Sequence, residues 1–398
     1  MNYLAERISW INESQTIAMA KAGRELKAKG FDVINLSFGE PDFATPSHIR
    51  NAAKQAIDDG YTFYTPVAGY PELREAVVNK LKRDNDLEFN MNQVVVSTGA
   101  KHSIMNVIMA IVNPGEEVII PTPYWVSYSE MVKLVEGVPV FVEADVKTDF
   151  KISPQQLEAA ITPKTKAFLF SSPCNPTGTV YSREELAALK DVFVRHPEVV
   201  IISDEIYEYI NFVGTHESIA QFEEIQDRTV VVNGVSKGYA MTGWRIGYIA
   251  APLEIAVACE KLQGQFTSGA SSISQRAALT ALTSPLTSSY EMRDAFHRRR
   301  DLVLDLLSKI PGLRCNVPDG AFYVFPDVSS YFGKKHEKGI IQNANDLCLH
   351  ILNTCFVALV PGEAFGAPDC LRISYAASEE TLTEALKRIS EVLNALKA

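Results

Sequence analysis

Lys237 follows the apolar run Val230–Val232 in the stretch Asn233-Gly234-Val235-Ser236-Lys237-Gly238-Tyr239, and two chemistries compete for it. The spacing Gly234-x-Ser236-x-Gly238 fits the nucleophile elbow of serine hydrolases, which follows a strand and runs into a helix. Here a Gly-rich aromatic segment ending in Arg245 follows instead, and the downstream histidines available for a triad, His297, His336 and His350, all fall in the C-terminal flank. The second chemistry takes Lys237 as the nucleophile. A lysine at a strand end, shielded by glycine and aromatic residues and close to Arg245, has the setting that depresses an amine pKa and allows a Schiff base. Most lysines are solvated surface charges, so this segment alone leaves both readings open.

Other apolar runs end in equally suggestive residues. Val94–Val96 is followed by Ser97-Thr98-Gly99-Ala100-Lys101, a small-residue turn into a helix; such a turn either cradles a phosphate or is simply tight. Val118–Ile120 leads to Pro123-Tyr124-Trp125, Ala167–Phe170 to Cys174-Asn175-Pro176-Thr177-Gly178, and Val199–Ile202 to Ser203-Asp204-Glu205-Ile206-Tyr207. An Asp closing a buried strand is expensive unless a cation pairs with it, although it also serves as a helix N-cap. One cofactor needs this whole set. Pyridoxal phosphate requires a lysine for its aldehyde, an acid for its ring nitrogen, donors for its phenolic oxygen, a stacking aromatic and an anion site. Lys237, Asp204, Asn175 with Tyr207, Trp125, and the Gly99 turn with Arg245 meet those needs in turn.

The elements that must position these residues alternate in type. Val94–Val96, Val118–Ile120, Val138–Val142, Ala167–Phe170, Val199–Ile202 and Val230–Val232 read as strands covered on both faces, as in a parallel sheet. Between them, Ile104, Val107, Ile108 and Ile111 mark a helix face, and Ser153–Gln156 and Ser182–Glu185 read as capping boxes. This is an α/β class chain with a large, doubly wound, mostly parallel sheet over residues 46–285. Residues 1–45 and 286–398 lack the alternation. They carry a long charged helix (Ser289 to Ile310), a strand at Gly320–Phe325 and a Lys-rich loop (Gly333 to Gly339), and are expected to form one smaller α+β domain from both chain ends. The run Arg298-Arg299-Arg300 reads as a solvated, partly paired helix face.

Composition narrows the partners. An apolar share of 46% with 22 Gly and 20 Pro excludes collagenous and disordered classes, and 38 basic against 48 acidic residues, a net charge of −10, argues against nucleic acid. The six cysteines are scattered without a C-x-x-C pair, which argues against a disulfide scaffold and a metal site. No apolar run suggests a membrane span or a cleaved leader, so a cytoplasmic protein is expected.

Ordered motifs then reveal a resemblance: Ser37-Phe38-Gly39-Glu40-Pro41-Asp42-Phe43; Tyr61-Thr62-Phe63-Tyr64-Thr65-Pro66 with Gly69 and Glu72-Leu73-Arg74; Pro123-Tyr124-Trp125; Asn175-Pro176-Thr177-Gly178; Asp204-Glu205-Ile206-Tyr207; Ser236-Lys237 with Met241-Thr242-Gly243-Trp244-Arg245; and Leu371-Arg372-Ile373-Ser374. The chain resembles the fold-type I, class I aminotransferases, in particular the bacterial and archaeal aspartate aminotransferase branch. Ala100 stands where a second glycine is common in that branch, and Cys174 where a small polar residue is usual. The resemblance implies that Lys237 holds the cofactor as a Schiff base and shuttles the proton during catalysis. It implies that Asp204 keeps the ring nitrogen protonated, that Tyr207 and Asn175 bond the phenolic oxygen, and that Trp125 stacks on the ring. Gly99, Ala100, Lys101, Ser236 and Arg245 would surround the phosphate. Arg372 would clamp the substrate carboxylate beside Gly39, Trp125 and Asn175, with Lys101 and Thr16 at the distal carboxylate. Tyr64 would reach the neighbouring subunit's cofactor in a homodimer. The expected reaction is L-aspartate with 2-oxoglutarate. Relatives acting on aromatic amino acids, alanine or prephenate share these motifs, and a serine hydrolase using Ser236 is the remote alternative.

Overall fold

The computed structural model describes residues 3–13, 15–337 and 339–397; Lys338 of the Lys-rich loop lies outside the described residues. Seven strands form the central sheet: β1 (Val94–Ser97), β2 (Glu117–Thr122), β3 (Val138–Glu143), β4 (Thr165–Ser171), β5 (Val200–Asp204), β6 (Thr229–Gly234) and β7 (Gly247–Ala250). Their order is β1-β7-β6-β5-β4-β2-β3. Every neighbouring pair is parallel except those of β7, which runs antiparallel to both β1 and β6. The apolar runs of β1, β2, β4, β5 and β6 are buried because helices cover both faces.

Two expectations about this sheet need correcting. Val230–Val232 is not its last strand: the stretch after Lys237 returns as β7, whose glycine start and four-residue length hide it within a Gly-rich segment. Val138–Val142 is not sealed on both faces either. β3 is an edge strand, with Val138 and Phe141 exposed.

The helix after β1 spans Ala100–Ile111, and both capping boxes form, Ser153 with Gln156 and Ser182 with Glu185. The chain ends meet. Ile34–Asn35 pairs in parallel with Val357–Ala358, and a three-stranded sheet joins Val360–Pro361, Leu371–Ser374 and Tyr323–Val324. The latter two-residue strand is shorter than the run Gly320–Phe325 suggested. Helices Thr287–Ser308, Ala344–Cys355 and Glu379–Asn394 cover this region, and Met19 and Leu36 pack in one apolar cluster with side chains from Met292 to Leu396. The arginine run is paired as expected but only partly solvated: Arg298 is exposed, whereas Arg299 pairs with Asp42 at 2.7 Å against Phe43 and Phe296, and Arg300 pairs with Asp301 at 2.7 Å, stacks over Phe212 and donates to Pro318 O. Among the described residues no helix is long and apolar enough to cross a membrane.

Candidate active site

The carboxyl ends of β1, β2, β4, β5 and β6 open onto one cavity of about 360 Å³. Lys101, Trp125, Asn175, Asp204, Tyr207, Ser236, Lys237, Arg245 and Arg372 line it together with Thr16, Gly39 and Ala100. Residues from across the sequence thus converge on one volume.

Lys237 follows β6 through a tight turn and points its Nζ across the cavity onto Gly39 O, 2.6 Å away. Burial pulls its pKa down to about 8, with Glu40 opposing and the Arg372 and Arg245 charges reinforcing the fall. A sizeable neutral amine fraction therefore exists near neutral pH.

Asp204 closes β5 and is 4% exposed. Among the described residues it has no cationic hydrogen-bond partner. Tyr128 Oη donates to one carboxylate oxygen at 2.7 Å and the Ile206 N–H to the other at 3.3 Å. Burial therefore wins and raises the carboxyl pKa to about 6, against these hydrogen bonds. The segment after Asp204 is a turn and not a helix, so the capping role does not apply. That turn is pinned from below by Glu205, whose Oε1 accepts from Ser203 (2.8 Å) and Ser218 (2.6 Å). Glu205 Oε2 lies 3.0 Å from His216 Nε2, off the line a hydrogen bond needs, so the attraction there is one of charge. Tyr207, carried by the same turn, bonds Tyr323 Oη at 2.8 Å.

Arg372, on the strand Leu371–Ser374, is 2% exposed. Its guanidinium donates to Asn175 Oδ1 (2.8 Å) and Ser37 O (2.7 Å) and stacks over Tyr323 and Phe365, while its buried Nε has no partner. Asn175 spends its oxygen on Arg372 and keeps its amide N–H₂, a donor, for the cavity.

The first turn of Ala100–Ile111 presents backbone N–H groups without intrahelical acceptors. Gly99 precedes it at φ 84°, and a Cβ there would stand 2.5 Å from the Arg245 guanidinium. A Cβ on Gly247 would lie 2.2 Å from Ala100 N. Only glycine lets β7 and the helix start approach this closely, and the result is an anion cradle with Arg245 at its edge. Lys101 Nζ sits 4.9 Å above the Trp125 ring. Desolvation and then the Arg245 charge lower its pKa, although the side chain still meets solvent at the cavity mouth.

These features fit pyridoxal phosphate: an amine poised near neutrality, a buried acid lacking a cation, an amide donor, a flat aromatic and a cradle that a Cβ would fill. The hydrolase reading finds no support in the geometry. No histidine lines the cavity among the described residues, and turns follow Ser236 where an elbow has a helix. Tyr64 is not in the cavity; it stands 96% exposed beside Phe63. Tyr128, Tyr323 and Glu40 were not picked out from the sequence. Tyr128 could have been found three residues beyond Trp125, facing back across the first helical turn, whereas nothing local marks Tyr323.

The sequence model for the family described as aminotransferase class I and II matches residues 32–389. An aspartate/prephenate aminotransferase of Cereibacter sphaeroides is 50% identical over 392 residues, covering 98% of each chain. The solved aspartate aminotransferase of Rhizobium meliloti superposes with a TM-score of 0.96 at 44% identity over 100% of both chains. That of Thermus thermophilus, solved with maleate, reaches 0.92 at 40% identity over 98% of this chain and all of its own. Matched almost end to end in sequence and in backbone, this chain belongs to the class I and II aminotransferases.

Proposed function

We propose that this aminotransferase uses pyridoxal 5'-phosphate to move the amino group between L-aspartate and 2-oxoglutarate, giving oxaloacetate and L-glutamate, as a cytoplasmic homodimer. The observation that carries the reading is a cavity ringed by Lys101, Arg245 and Arg372, none of which has a carboxylate partner among the described residues. A buried Arg372 without a counter-ion is costly, and Lys101 and Arg245 add two solvent-reaching positive charges to the same walls, so the cavity is built for anions: one phosphate and two carboxylates.

Bound there, pyridoxal phosphate supplies an aldehyde that takes up an amine and a ring that accepts electron density from the substrate's α-carbon. The chain's own residues do the rest. Lys237 would hold the aldehyde through its Nζ, and the same Nζ, when free, would take up the proton leaving the substrate's α-carbon. Asp204 provides the negative charge that keeps a ring N–H in place. Tyr207 and Asn175 donate to the phenolic oxygen, and Trp125 supplies a face for stacking. The cradle of Gly99, Ala100, Ser236 and Arg245 holds the phosphate. Arg372 presents a planar fork to the α-carboxylate beside Gly39, its direction fixed by Asn175 and Ser37. Lys101, with the unpartnered buried Thr16 Oγ1, meets the distal carboxylate.

The maleate with which the Thermus relative was solved, a dicarboxylate of aspartate's length, supports the distal-carboxylate role. Prephenate is the second reading, favoured by the name of the Cereibacter relative, because it too pairs a 2-oxo acid with a second carboxylate. Six free cysteines suit a reducing compartment. The pairing of Ile34–Asn35 with Val357–Ala358 supports the division into residues 46–285 and residues 1–45 with 286–398. The exposed Phe63 and Tyr64 support a second copy that covers them and receives Tyr64 at its phosphate.

Steady-state kinetics of Lys101→Ala test the substrate assignment. The KM for aspartate is expected to rise at least about tenfold, with an apolar donor such as phenylalanine changed less than about twofold. Equal losses for both donors would move Lys101 to the phosphate.

A further inference from the structure

Tyr207 and Tyr323 share the one hydrogen bond that their 2.8 Å separation allows, and distance alone does not say which hydroxyl donates. Burial decides it. Tyr323 is fully buried and does not line the cavity, whereas Tyr207 does. Among the described residues the Tyr207 oxygen is the sole hydrogen-bond partner of the Tyr323 hydroxyl. If Tyr207 donated, the Tyr323 proton would be buried without an acceptor, which costs more than the hydrogen bond itself contributes. Burial raises both phenols above their ordinary pKa, Tyr207 well above it, so both protons are present at working pH.

We propose that Tyr323 is a positioning residue: its hydroxyl donates to Tyr207, which turns the Tyr207 proton into the cavity and strengthens it as a donor to the cofactor's phenolic oxygen. Gly39 makes room for this, since a Cβ there would stand 2.8 Å from the Tyr323 oxygen. The Arg372 guanidinium, 4.5 Å over the Tyr323 ring, fixes the ring from the other side. Hydrogen bonds in series polarise one another, so a donor behind Tyr207 makes its own O–H a better donor. A donor to an anionic oxygen favours the deprotonated chromophore. Losing part of that donation raises the pH at which the chromophore gives up its proton.

The inference rests on the pyridoxal phosphate reading, and absorbance titration of the loaded protein separates the two. Tyr323→Phe keeps the ring, its stacking with Arg372 and the core packing, and removes only the hydroxyl. Its chromophore pKa is expected to rise by about 0.5 to 1 pH unit over wild type. Because Tyr323 acts through Tyr207, the same change made in Tyr207→Phe is expected to shift the titration by less than about 0.2 unit further. An unshifted Tyr323→Phe, or equal shifts in both backgrounds, overturns the positioning role alone. A wild-type chain that takes up no titrating chromophore overturns the cofactor reading and this inference with it.

Discussion

Lys237 and Asp204 are tuned in opposite directions by the same burial, and each shift has a measurable consequence. Only a neutral amine attacks an aldehyde, so capture of pyridoxal phosphate by the cofactor-free protein should speed up about tenfold per pH unit up to about pH 8 and level off above it. Stopped-flow absorbance reads this directly, and a rate still climbing about tenfold per pH unit above about pH 9 would place the amine in a solvated setting. For Asp204, a proton held more tightly in the folded than in the unfolded chain stabilises the fold in acid. That stabilisation is complete below the unfolded carboxyl's pKa of about 4 and is lost as pH rises through about 6, so the ionised Asp204 burdens the cofactor-free protein by about 3 kcal/mol at pH 8. Asp204→Asn should accordingly melt higher than wild type at pH 8 and no higher at pH 4, followed by circular dichroism without cofactor. At this scale the sequence was legible wherever a polar residue follows an apolar run. Tyr128 and Tyr323 escaped because their partners, Asp204 and Tyr207, lie 76 and 116 positions away. Such pairings exist only once the sheet has formed.

At the level of elements, the anion cradle depends on the close approach of β7 to the start of the helix Ala100–Ile111. Gly99 holds both a positive φ and a guanidinium at its Cβ position, so Gly99→Ala should displace Arg245 and weaken cofactor binding at least about tenfold, while far-ultraviolet circular dichroism stays unchanged. A fluorescence titration with the cofactor tests this; unaltered affinity would mean that Arg245 does not need its place over Gly99. The strands β1, β2, β4, β5 and β6 were readable because both-face burial leaves continuous apolar runs, and β3, at an edge, because its residues are mostly β-branched or aromatic. β7 was not, since a four-residue strand between glycine-rich turns carries too little periodicity. The two-residue strands near the C-terminus were equally hidden, their position being set by the packing of Leu371–Ser374 against Tyr323–Val324.

For the whole molecule, the net charge of −10 and the cationic cavity belong to different surfaces: most of the acids lie exposed on the exterior, while Lys101, Arg245 and Arg372 line the cavity. If Tyr64 completes the partner's site, Tyr64→Ala and Lys237→Ala damage different halves of one shared site. Refolding the two impaired variants together at equal amounts should restore about a quarter of wild-type activity, the statistical yield of hybrid dimers with one intact site each. Mixtures no more active than their parents would show that each chain closes its own site. The most direct test of the central claim is to add L-aspartate alone to the pyridoxal-phosphate-loaded protein and follow its visible absorbance. The account predicts that the aldehyde form of the chromophore converts to the amine form, that 2-oxoglutarate reverses the change, and that Lys237→Ala does neither at a measurable rate; a wild-type spectrum unmoved by aspartate would contradict it.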